Sequence, residues 1–431
     1  MKIVHVIPGS GGTFYCQNCV RDLALVQALR RAGHDVVMAP MYLPLELNDP
    51  WIVNDSPLFY GAVKVYLKET VSWLRKAPPW LNRLLDAAPV LAMAAKRSGS
   101  TSAPGLSELT LSMLAGEQGN QADELERLIQ WLKTEIRPDL ICISNALLLG
   151  LARRMKAETG ARIICYLQDE DTWIEAMPVD FQKRIWAAMA EKVPEVDRFI
   201  AVSHYYAGVM AGKIGIPAAK MTVVYPGTDF SGFLLSNPVP GSPVIGYLSR
   251  MTGSLGMDIL VDAFVRLKQA GRIPGLKLRL AGGHTSNDHA FIARQMARIK
   301  KAGYAAEVEI IDEFDPASRA RFFAALSVLS VPVPQGEAFG AYIIEALGCG
   351  VPVVQPQAGA FPELVAKTGG GIIYDPNDSV ELAAALESLL LNPERAKALG
   401  EIGWQKVLQD FSIEKTAEAT LAIYKQVVET D

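Results

Sequence analysis

The sequence predicts an α/β protein made of two tandem domains, each built on a parallel sheet. Short apolar runs rich in β-branched residues alternate with helical patterns, which is the rhythm of βαβ units. The rhythm stops near Phe230, at residues 231 to 243, which are rich in proline, glycine and serine, and then restarts. A chain of 431 residues, half of them hydrophobic, has room for two or three domains with full cores.

The first half contains apolar runs that predict strands at Ile3–Ile7, Val36–Ala39, Leu140–Ser144, Arg162–Leu167 and Phe199–Ser203. Helical patterns predict helices at Asn18–Ala32, Ala146–Thr159 and Tyr205–Ile214. Residues 41 to 135 are too many for a single connection. We therefore expect a helical insertion there, with a mobile Ser/Gly-rich patch at residues 98 to 105.

The second half repeats this pattern. Strands are predicted at Val244–Leu248, Leu276–Ala281, Val308–Ile311, Val328–Val333 and Val351–Gln355. Helices are predicted at Met257–Ala270, Phe291–Ala302, Arg319–Ala325, Ala341–Gly348, Ser379–Leu391, Pro393–Gln409 and Ile413–Val428. We expect an N-terminal domain over residues 1–235, a C-terminal domain over 236–410, and a last helix over 411–431 that crosses back to the first domain.

Composition and charge exclude several classes of protein. Lysine plus arginine (42) nearly balances aspartate plus glutamate (46), so the net charge of −4 gives no reason to expect nucleic-acid binding. Five cysteines, with only Cys16 and Cys19 close together, do not form a secreted disulfide framework, which favours a reducing cytoplasm. The apolar start is too short for a signal peptide, and the longest uncharged apolar run, Ala87–Ala95, falls short of the ~18 residues that span a bilayer.

A glycine-rich turn, Gly9-Ser10-Gly11-Gly12-Thr13, follows the first predicted strand and leads into a helix. Such a turn lets backbone N–H groups approach phosphate oxygens, and the helix dipole adds attraction. A dinucleotide site is disfavoured, because Phe14 replaces the third glycine of the G-x-G-x-x-G pattern and strand two ends in Met38-Ala39-Pro40 without an acidic ribose ligand. We therefore expect phosphate contact here, but not NAD.

Two other segments carry reactive side chains and leave alternatives open. Cys16 and Cys19 lie near a helix start, where redox or zinc chemistry competes with two small buried residues; a zinc site would need two more ligands. Gln168-Asp169-Glu170-Asp171 follows the strand Arg162–Leu167, at the edge where open α/β sheets bind ligands. This segment predicts either a hydroxyl-binding or metal-binding group or the acidic cap of a helix over Thr172–Met177.

The most informative segment begins at a predicted strand-to-helix turn. Glu337 leads the turn, Gly340 opens the helix, and Glu345 lies eight residues after Glu337, about two helical turns away and so on a similar face. One carboxylate can accept sugar hydroxyls and the other ribose hydroxyls, with the helix N-terminus aimed at phosphate between them. Isolated glutamates are usually solvated, but the flanking Phe, Gly and Gly-Val-Pro-Val-Val argue against that interpretation.

At these residues the chain resembles the retaining, nucleotide-sugar-dependent glycosyltransferases of family 4, whose E-x₇-E pattern matches Glu337 and Glu345. The resemblance covers both predicted domains except residues 41 to about 135, and it is strongest from 244 to 366. It implies the GT-B fold, in which two Rossmann-like domains face each other across a cleft. Supporting segments are Gly33-His34-Asp35-Val36, Ala201-Val202-Ser203, Tyr225-Pro226-Gly227-Thr228-Asp229, Ser249-Arg250 and Ala358-Gly359-Ala360-Phe361-Pro362-Glu363.

The resemblance implies roles for residues of the second domain. Arg250 would contact the donor diphosphate, and Glu345 would bind the ribose. Glu337, with the backbone at Phe339 and Gly340, would hold the sugar and phosphate. A guanidinium can neutralise the leaving diphosphate without a metal, so we expect no metal and no resident cofactor, only a UDP-sugar or GDP-sugar as substrate.

In the first domain, the resemblance places Gly11 and Gly12 at the cleft and makes Gln168 and Asp169 candidate catalytic residues. The sequence departs from the family at two positions. The usual lysine five residues after the arginine is Leu255, and a missing transition-state charge contact costs ~10²-fold in rate. The histidine that often follows this strand is Gln168, which can form hydrogen bonds but carries no charge.

The acceptor should meet the first domain, so residues 41–135 should encode its identity. Within them, Trp73–Leu85 mixes tryptophans, leucines and cations, and could lie on the anionic inner face of a membrane as a peripheral contact that suits a lipid-linked acceptor. Two ordinary amphipathic helices flanking a Pro-Pro turn are the alternative interpretation.

We therefore expect a cytoplasmic, metal-independent, retaining glycosyltransferase of glycan biosynthesis, of the hexosyltransferase type. It would move a sugar from a nucleoside-diphosphate sugar to a carbohydrate or lipid-linked acceptor. A non-catalytic nucleotide-sugar-binding partner or sensor with the same fold is the alternative, because of Leu255 and Gln168. An epimerase of the same fold is disfavoured, since no obvious acid/base pair is present.

Overall fold

The computed structural model describes residues 1–8, 17–41, 103–236, 242–313 and 315–429. The chain divides into two compact units. Within the described residues, the first unit is formed by residues 1–8, 18–41, 103–225 and 416–429, and the second by Gln17 and residues 226–236, 242–313 and 315–415. The segment from Pro226 to 235, which the sequence assigned to the first domain, therefore groups with the second unit.

The first unit is a parallel six-stranded sheet with helices between its strands. Its strands are β1 (Lys2–Ile7), β2 (Asp35–Pro40), β3 (Leu140–Ile143), β4 (Arg162–Leu167), β5 (Arg198–Ala201) and β6 (Met221–Val223). Its helices are α1 (Gln17–Arg31), α2 (Ser107–Leu114), α3 (Ala122–Trp131), α4 (Ala152–Thr159), α5 (Glu170–Glu175), α6 (Val179–Lys192) and α7 (His204–Ile214).

The strand order in this sheet is β2-β1-β3-β4-β5-β6. Strand β1 lies inside the sheet, second from one edge, since Val4 pairs with Val37 on one side and with Ile141 on the other. Strands β1, β3 and β4 are almost entirely buried, which explains why they read as continuous apolar runs rather than as alternating ones. All carboxyl ends of parallel strands meet at one edge, and Gln168 follows β4 there.

The second unit repeats the architecture. Its strands are β7 (Val244–Leu248), β8 (Lys277–Ala281), β9 (Val308–Ile311), β10 (Val328–Leu329), β11 (Val353–Pro356) and β12 (Gly371–Tyr374). The strand order is β12-β11-β10-β7-β8-β9, again fully parallel. The helices are α8 (Met257–Ala270), α9 (His289–Lys301), α10 (Pro316–Ala324), α11 (Ala341–Gly348), α12 (Phe361–Thr368), α13 (Ser379–Leu390) and α14 (Pro393–Asp410).

The last helix, α15 (Ile413–Glu429), starts in the second unit and belongs to the first unit from Thr416 onward. Its buried Tyr424 ends in a polar cluster inside the first unit. The Tyr424 hydroxyl lies 2.7 Å from the hydroxyl of Tyr166 and 3.2 Å from His5 Nε2. The thiol of Cys142 also donates to it, at 3.1 Å. The aromatic and polar contacts of one side chain therefore attach this helix to the first sheet.

Several predicted elements have other bounds in the structure. The helix predicted over Ala146–Thr159 is α-helical only over Ala152–Thr159 (α4), and Ala146–Leu151 forms a 3₁₀ helix. Strand β10 is only Val328–Leu329, not Val328–Val333, because Pro332 and Pro334 lack the N–H that a sheet ladder needs. The helix expected over Thr172–Met177 is α5, which begins earlier, at Glu170, and ends before Pro178. Helices α6 and α12 and strands β6 and β12 were not predicted.

Several predictions lie outside the described residues: the glycine turn with Gly11 and Gly12, the side chains of Cys16 and Cys19, the patch at 98–102, and the segment Trp73–Leu85. Within the described part of the chain, no helix is both long and apolar enough to cross a bilayer.

Candidate functional site

Arg250 lies just beyond β7, at the carboxyl edge of the second sheet. Its Nε donates to Asp288 Oδ2 at 2.8 Å, and its Nη2 donates to Asp288 Oδ1 at 3.0 Å and to Thr285 Oγ1 at 2.9 Å. This is a two-point guanidinium–carboxylate pair, the geometry that most restricts an arginine. The Arg250 side chain is 33% exposed and that of Asp288 only 8%, so a fixed guanidinium meets solvent.

Asp288 is itself fixed by a capping box at the carboxyl end of β8. It accepts hydrogen bonds from the backbone N–H of Thr285 at 2.7 Å and from the Thr285 hydroxyl at 2.9 Å. Burial raises the pKa of Asp288, but the hydrogen bonds from Arg250 and Thr285 outweigh burial and hold the pKa below its ordinary value. The carboxylate is therefore ionised near neutral pH, as a partner of Arg250 must be.

Tyr247, which is completely buried in β7, is hydrogen-bonded to the turn that carries Arg250. Its hydroxyl is shared between the carbonyl oxygens of Arg250, at 3.0 Å, and Leu255, at 3.2 Å. Burial first, and then the nearby charge of Glu337, raise the pKa of Tyr247 well above its ordinary value. The hydroxyl therefore stays protonated and donates to both ends of the turn.

Glu337 lies in a loop that packs backbone against backbone. Gly336 has a φ of 73°, and a Cβ there would come within 2.2 Å of the backbone nitrogen of Gly359. The Glu337 carbonyl accepts a hydrogen bond from the N–H of Ala360 at 2.9 Å. Only glycine fits this approach, so the loops after β10 and β11 hold each other and place Glu337.

A second close approach joins the loop after β10 to the turn after β7. Gly256 has a φ of 77°, and a Cβ there would meet the carbonyl oxygen of Pro332 at 2.0 Å. Asn377 supports the same loop, since its amide donates to the carbonyls of Val333 at 3.1 Å and Pro332 at 3.3 Å. The Tyr374 hydroxyl donates to Asn377 Oδ1 at 2.7 Å. We call the turns after β7, β10 and β11 the glycine-packed loops.

Helix α11 begins inside these loops, at Gly340. Gly340 has a φ of 94° and, as a glycine, supplies no capping side chain of its own. A Cβ at this position would lie 3.1 Å from the ring of Phe361. The backbone at Phe339 and Gly340 is thereby held at the N-terminus of a helix, where N–H groups favour anions.

Glu345, in the middle of α11, is almost completely buried and ion-paired. Its Oε1 lies 3.2 Å from Nη2 of Arg319, and the two side chains are 3% and 8% exposed. A charge removed from water this far needs a partner, and Arg319, from α10, is that partner.

In the first unit, the segment after β4 forms a rigid turn around a buried acid. Glu170 accepts hydrogen bonds from the backbone N–H of Ala146 at 2.8 Å and of Gln168 at 2.7 Å, and from the Tyr206 hydroxyl at 2.7 Å. Burial raises the pKa of Glu170 to about 7, although these hydrogen bonds oppose the rise. Glu170 therefore fixes the turn.

Gln168 and Asp169 are held differently. The Gln168 amide nitrogen donates to the carbonyl oxygen of Ser144, which fixes the orientation of this buried side chain. Asp169 has a φ of 55°, a left-handed conformation that is rare for non-glycine residues, and accepts a hydrogen bond from Asn18 Nδ2 at 3.4 Å. Both residues lie at the carboxyl edge of the first sheet.

The structure thus places Arg250, Glu337 and Glu345 in one unit, with Arg250 and Glu337 after the adjacent strands β7 and β10, and Gln168 and Asp169 in the other unit. Among the described residues, no group of three or more His, Cys, Asp or Glu side chains is arranged to hold a metal ion.

Sequence reasoning missed Asp288, Thr285 and Arg319. The first two carry a local signal, because Thr285-Ser286-Asn287-Asp288 at the end of a predicted strand has the spacing of a capping box. Arg319 carries none, since it reaches Glu345 from a different helix.

Two family models match the chain in order. Residues 113–231 match "Glycosyltransferase Family 4", and residues 236–406 match "Glycosyl transferases group 1". Together they cover more than half of the chain.

Two proteins of known name illustrate the sequence similarity. A D-inositol 3-phosphate glycosyltransferase of Segniliparus rotundus is 31% identical over 242 residues, which are 54% of this chain and 53% of that protein. An alpha-maltose-1-phosphate synthase of Mycolicibacterium smegmatis is 29% identical over 221 residues, 49% of this chain and 55% of that protein. The matched part therefore spans about half the length of these relatives.

Solved structures share the whole fold at low sequence identity. Sucrose-phosphate synthase from Thermosynechococcus elongatus superposes with a TM-score of 0.73 at 19% identity, covering 99% of both chains. HepE from Anabaena, in complex with UDP and glucose, gives a TM-score of 0.69 at 17% identity, again over 99% of both chains. The chain belongs to the glycosyltransferases of the GT-B fold, so the fold class and the family expected from the sequence are confirmed.

Proposed function

We propose that this chain is a retaining, metal-independent glycosyltransferase that transfers a sugar from a nucleoside-diphosphate sugar to a carbohydrate or lipid-linked acceptor. UDP and GDP are the proposed nucleotides. The similar HepE was solved with UDP and glucose, which supports a nucleotide sugar as donor. The acceptor is proposed to meet the first unit, and the cytoplasm is the proposed location.

The observation that carries the proposal is the cluster of glycine-packed loops around Arg250 and Glu337. These loops bring a fixed guanidinium, a carboxylate and the N-terminus of α11 to the carboxyl edge of one sheet, where ligands of open α/β sheets bind. A cation and a helix N-terminus suit a diphosphate, and a carboxylate suits sugar hydroxyls.

In this proposal each group has one role. Arg250 stabilises the negative charge that develops on the leaving diphosphate as the sugar bond breaks. Glu337 orients the sugar by accepting its hydroxyl protons, and Glu345 accepts those of the ribose. The leaving phosphate itself takes the proton of the acceptor hydroxyl on the same face, so configuration is retained without a dedicated protein base. Gln168 and Asp169 remain candidates for contacts with the sugar.

A second function is favoured by two substitutions. Leu255 stands where the family usually has a lysine, and Gln168 where it often has a histidine. Without those cations, a nucleotide-sugar-binding partner or sensor that has lost turnover is the alternative. The Tyr247 hydroxyl holds the Leu255 backbone in place, so the departure lies in the side chain rather than in the shape of the turn.

Two measurements test the proposal. Thermal unfolding with UDP-, GDP- and ADP-sugars should show a rise in Tm for at least one donor, since a ligand that binds only the folded state stabilises it. That donor should then be hydrolysed slowly, releasing nucleoside diphosphate, and the release should disappear in Arg250→Ala.

The outcomes separate the two functions. Donor binding without release of nucleoside diphosphate, in the presence of carbohydrate acceptors, would favour the sensor. Both the transferase and the sensor would be excluded if calorimetry detected no binding of any nucleoside diphosphate and if Glu345→Ala changed no measured property of the protein.

A further inference from the structure

The pair formed by Arg319 and Glu345 joins two helices of the second unit. Arg319 lies on α10, before β10, and Glu345 lies on α11, after it. The 3.2 Å contact is nearly sealed from solvent, with side-chain exposures of 8% and 3%. Surface ion pairs form and break easily, but a pair this deep keeps its geometry, because either charge alone would be left desolvated.

Arg319 starts from a fixed backbone. Asp315 caps α10, accepting hydrogen bonds from the backbone N–H of Ala317 at 3.0 Å and of Ser318 at 3.2 Å. Arg319 is the next residue, within the first turn of the helix. Its guanidinium therefore approaches Glu345 from an anchored position, and does not depend on the loops that carry Arg250 and Glu337.

The charge state of Glu345 decides what it can do. An ionised carboxylate accepts hydrogen bonds at both oxygens, whereas a protonated one becomes a donor at one of them. A buried carboxyl group without a cation tends to take up a proton. Two ribose hydroxyls need an acceptor that is ionised and already oriented.

We propose that Arg319 is a positioning residue for nucleotide recognition, which holds the Glu345 carboxylate ionised and oriented toward the ribose hydroxyls of the donor. The inference deepens the proposed function and rests on it, since that function assigns the ribose to Glu345. Arg319 acts through Glu345 and touches no part of the substrate. Its removal changes discrimination at the ribose and leaves discrimination at the diphosphate intact.

Calorimetry with UDP and 2′-deoxy-UDP, and with GDP and 2′-deoxy-GDP, measures this discrimination directly. A hydroxyl bonded to a charged acceptor is worth about tenfold in affinity or more, so the wild-type protein should prefer the ribonucleotide by roughly that ratio. Arg319→Met should reduce the ratio to near one. The ratio of affinities for UDP and UMP, or for GDP and GMP, should stay at its wild-type value.

The chain offers a matched control and a rescue. Arg321 lies on the same helix, is 65% exposed and lies 4.0 Å from Glu313, so Arg321→Met should leave both ratios unchanged. Arg319→Lys keeps a cation beside Glu345 and should retain most of the ribose preference. Arg319→Gln, which is neutral but can donate a hydrogen bond, should lose that preference, and it supplies the measurement if Arg319→Met does not fold.

A folded Arg319→Met or Arg319→Gln protein with the wild-type ribose preference would overturn the inference. The Glu345→Gln variant distinguishes a failure of this inference from a failure of the proposed function. If Glu345→Gln abolishes the preference and the Arg319 variants keep it, only the role of Arg319 is wrong. If Glu345→Gln also keeps the preference while UDP or GDP still binds, the assignment of the ribose to Glu345 is wrong, and the inference falls with it.

Discussion

Arg250 is oriented by a carboxylate of its own chain before any ligand reaches it. The bidentate contact with Asp288 and the hydrogen bond to Thr285 restrict a long side chain that would otherwise sample many rotamers. The cost is electrostatic, because Asp288 offsets much of the guanidinium charge. Orientation rather than net charge is therefore what this residue offers to a ligand.

Replacing Asp288 by asparagine tests whether Asp288 orients Arg250. Asp288→Asn keeps the size of the side chain but removes one carboxylate oxygen and the charge that holds Arg250. We expect the free energy of unfolding to fall by about 1.5–3 kcal/mol, the range for hydrogen bonds to charged groups, and the affinity for UDP or GDP to fall with it. Urea unfolding and calorimetry measure the two effects.

The control for this variant is Asp262→Asn. Asp262 pairs with Arg298 at the surface of the same unit, and exposed pairs contribute about 1 kcal/mol or less. An Asp288→Asn protein that bound the nucleotide as tightly as wild type, or more tightly, would contradict the view that Asp288 orients Arg250.

Glu170 gives a prediction on pH. Its pKa in the folded protein is about 7, above the ordinary value of 4.5, because burial disfavours the ionised form. The stabilising contribution of the protonated group is complete below pH 4.5 and is lost as the pH rises through 7. Glu170→Gln lacks this titration, so the stability of the variant relative to wild type should rise by about 1.4 kcal/mol per pH unit inside that window.

Urea unfolding at several pH values between 4.5 and 8 measures this difference. Glu175→Gln, which replaces an exposed carboxylate of the same short helix, is the control variant. A difference for Glu170→Gln that stays constant with pH would show that Glu170 does not titrate in this range.

At the scale of the elements, glycines position the loops of the candidate site. The glycine-packed loops exist because Gly256, Gly336 and Gly359 let backbone atoms approach closer than any Cβ allows. The helix α11, which one of these loops leads into, has no capping side chain at its N-cap residue. Helices α13 and α14, in contrast, are preceded by Asp378 and Asn392, whose side chains cap them.

Gly336→Ala tests this packing. A Cβ at Gly336 would meet the backbone nitrogen of Gly359 at 2.2 Å, so the loop that carries Glu337 must move. Gly271→Ala is the matched control, with a similar φ of 67° but nothing within 4 Å of its Cβ. We expect Gly271→Ala to cost only the left-handed strain, about 1–2 kcal/mol, with nucleotide binding intact.

Gly336→Ala should cost more than that and should also weaken binding of UDP or GDP. Unfolding and calorimetry on both variants give the comparison. Equal losses of stability, with binding intact in both, would mean that the loop tolerates the added methyl group.

The elements also show how far sequence patterns reach. Strands β4, β7 and β9 and helices α8 and α11 have the predicted bounds, because their apolar runs are closed by glycine or polar residues. Strand β12 was missed since Gly371–Tyr374 contains only a short apolar run after a pair of glycines. A local sequence pattern predicts the element on which a residue lies. It does not predict a contact such as that of Arg319 with Glu345, because this contact depends on which helices pack together in the fold.

The candidate site shows the same division. Glu337, Gly340 and Glu345 could be found because they lie within one short segment whose spacing is informative. Asp288 supports Arg250 from the end of another strand, 38 residues away in sequence, and no sequence periodicity predicts this contact.

At the scale of the whole molecule, the last helix takes the chain from one unit back to the other. From Thr416 onward α15 belongs to the first unit, and the Tyr424 hydroxyl lies among Tyr166, His5 and Cys142. Burial lowers the pKa of His5 to about 3, so His5 is neutral in this cluster. Hydrogen bonds between uncharged side chains therefore attach α15 to the first unit.

Tyr424→Phe should therefore destabilise the protein. It removes the shared hydroxyl and leaves the polar groups of His5 and Tyr166 short of a partner, at a cost of about 1–3 kcal/mol. Differential scanning calorimetry measures the loss, and Lys425→Gln, at the exposed neighbouring position, should change stability by less than about 0.5 kcal/mol. A Tyr424→Phe protein as stable as wild type would show that packing alone holds the helix.

The pairing of Arg250 with Asp288 has a consequence for ionic strength. Among the ionised side chains named in the second unit's site, the cations Arg250 and Arg319 face the anions Asp288, Glu337 and Glu345, and the whole chain is also negative, at −4. With two cations against three anions, these side chains supply no net positive charge to draw in a negative diphosphate, so we expect attraction to begin at contact, through oriented N–H groups. We expect the dissociation constant for UDP or GDP to change little between 50 mM and 300 mM salt, where a lysine-lined site would weaken markedly.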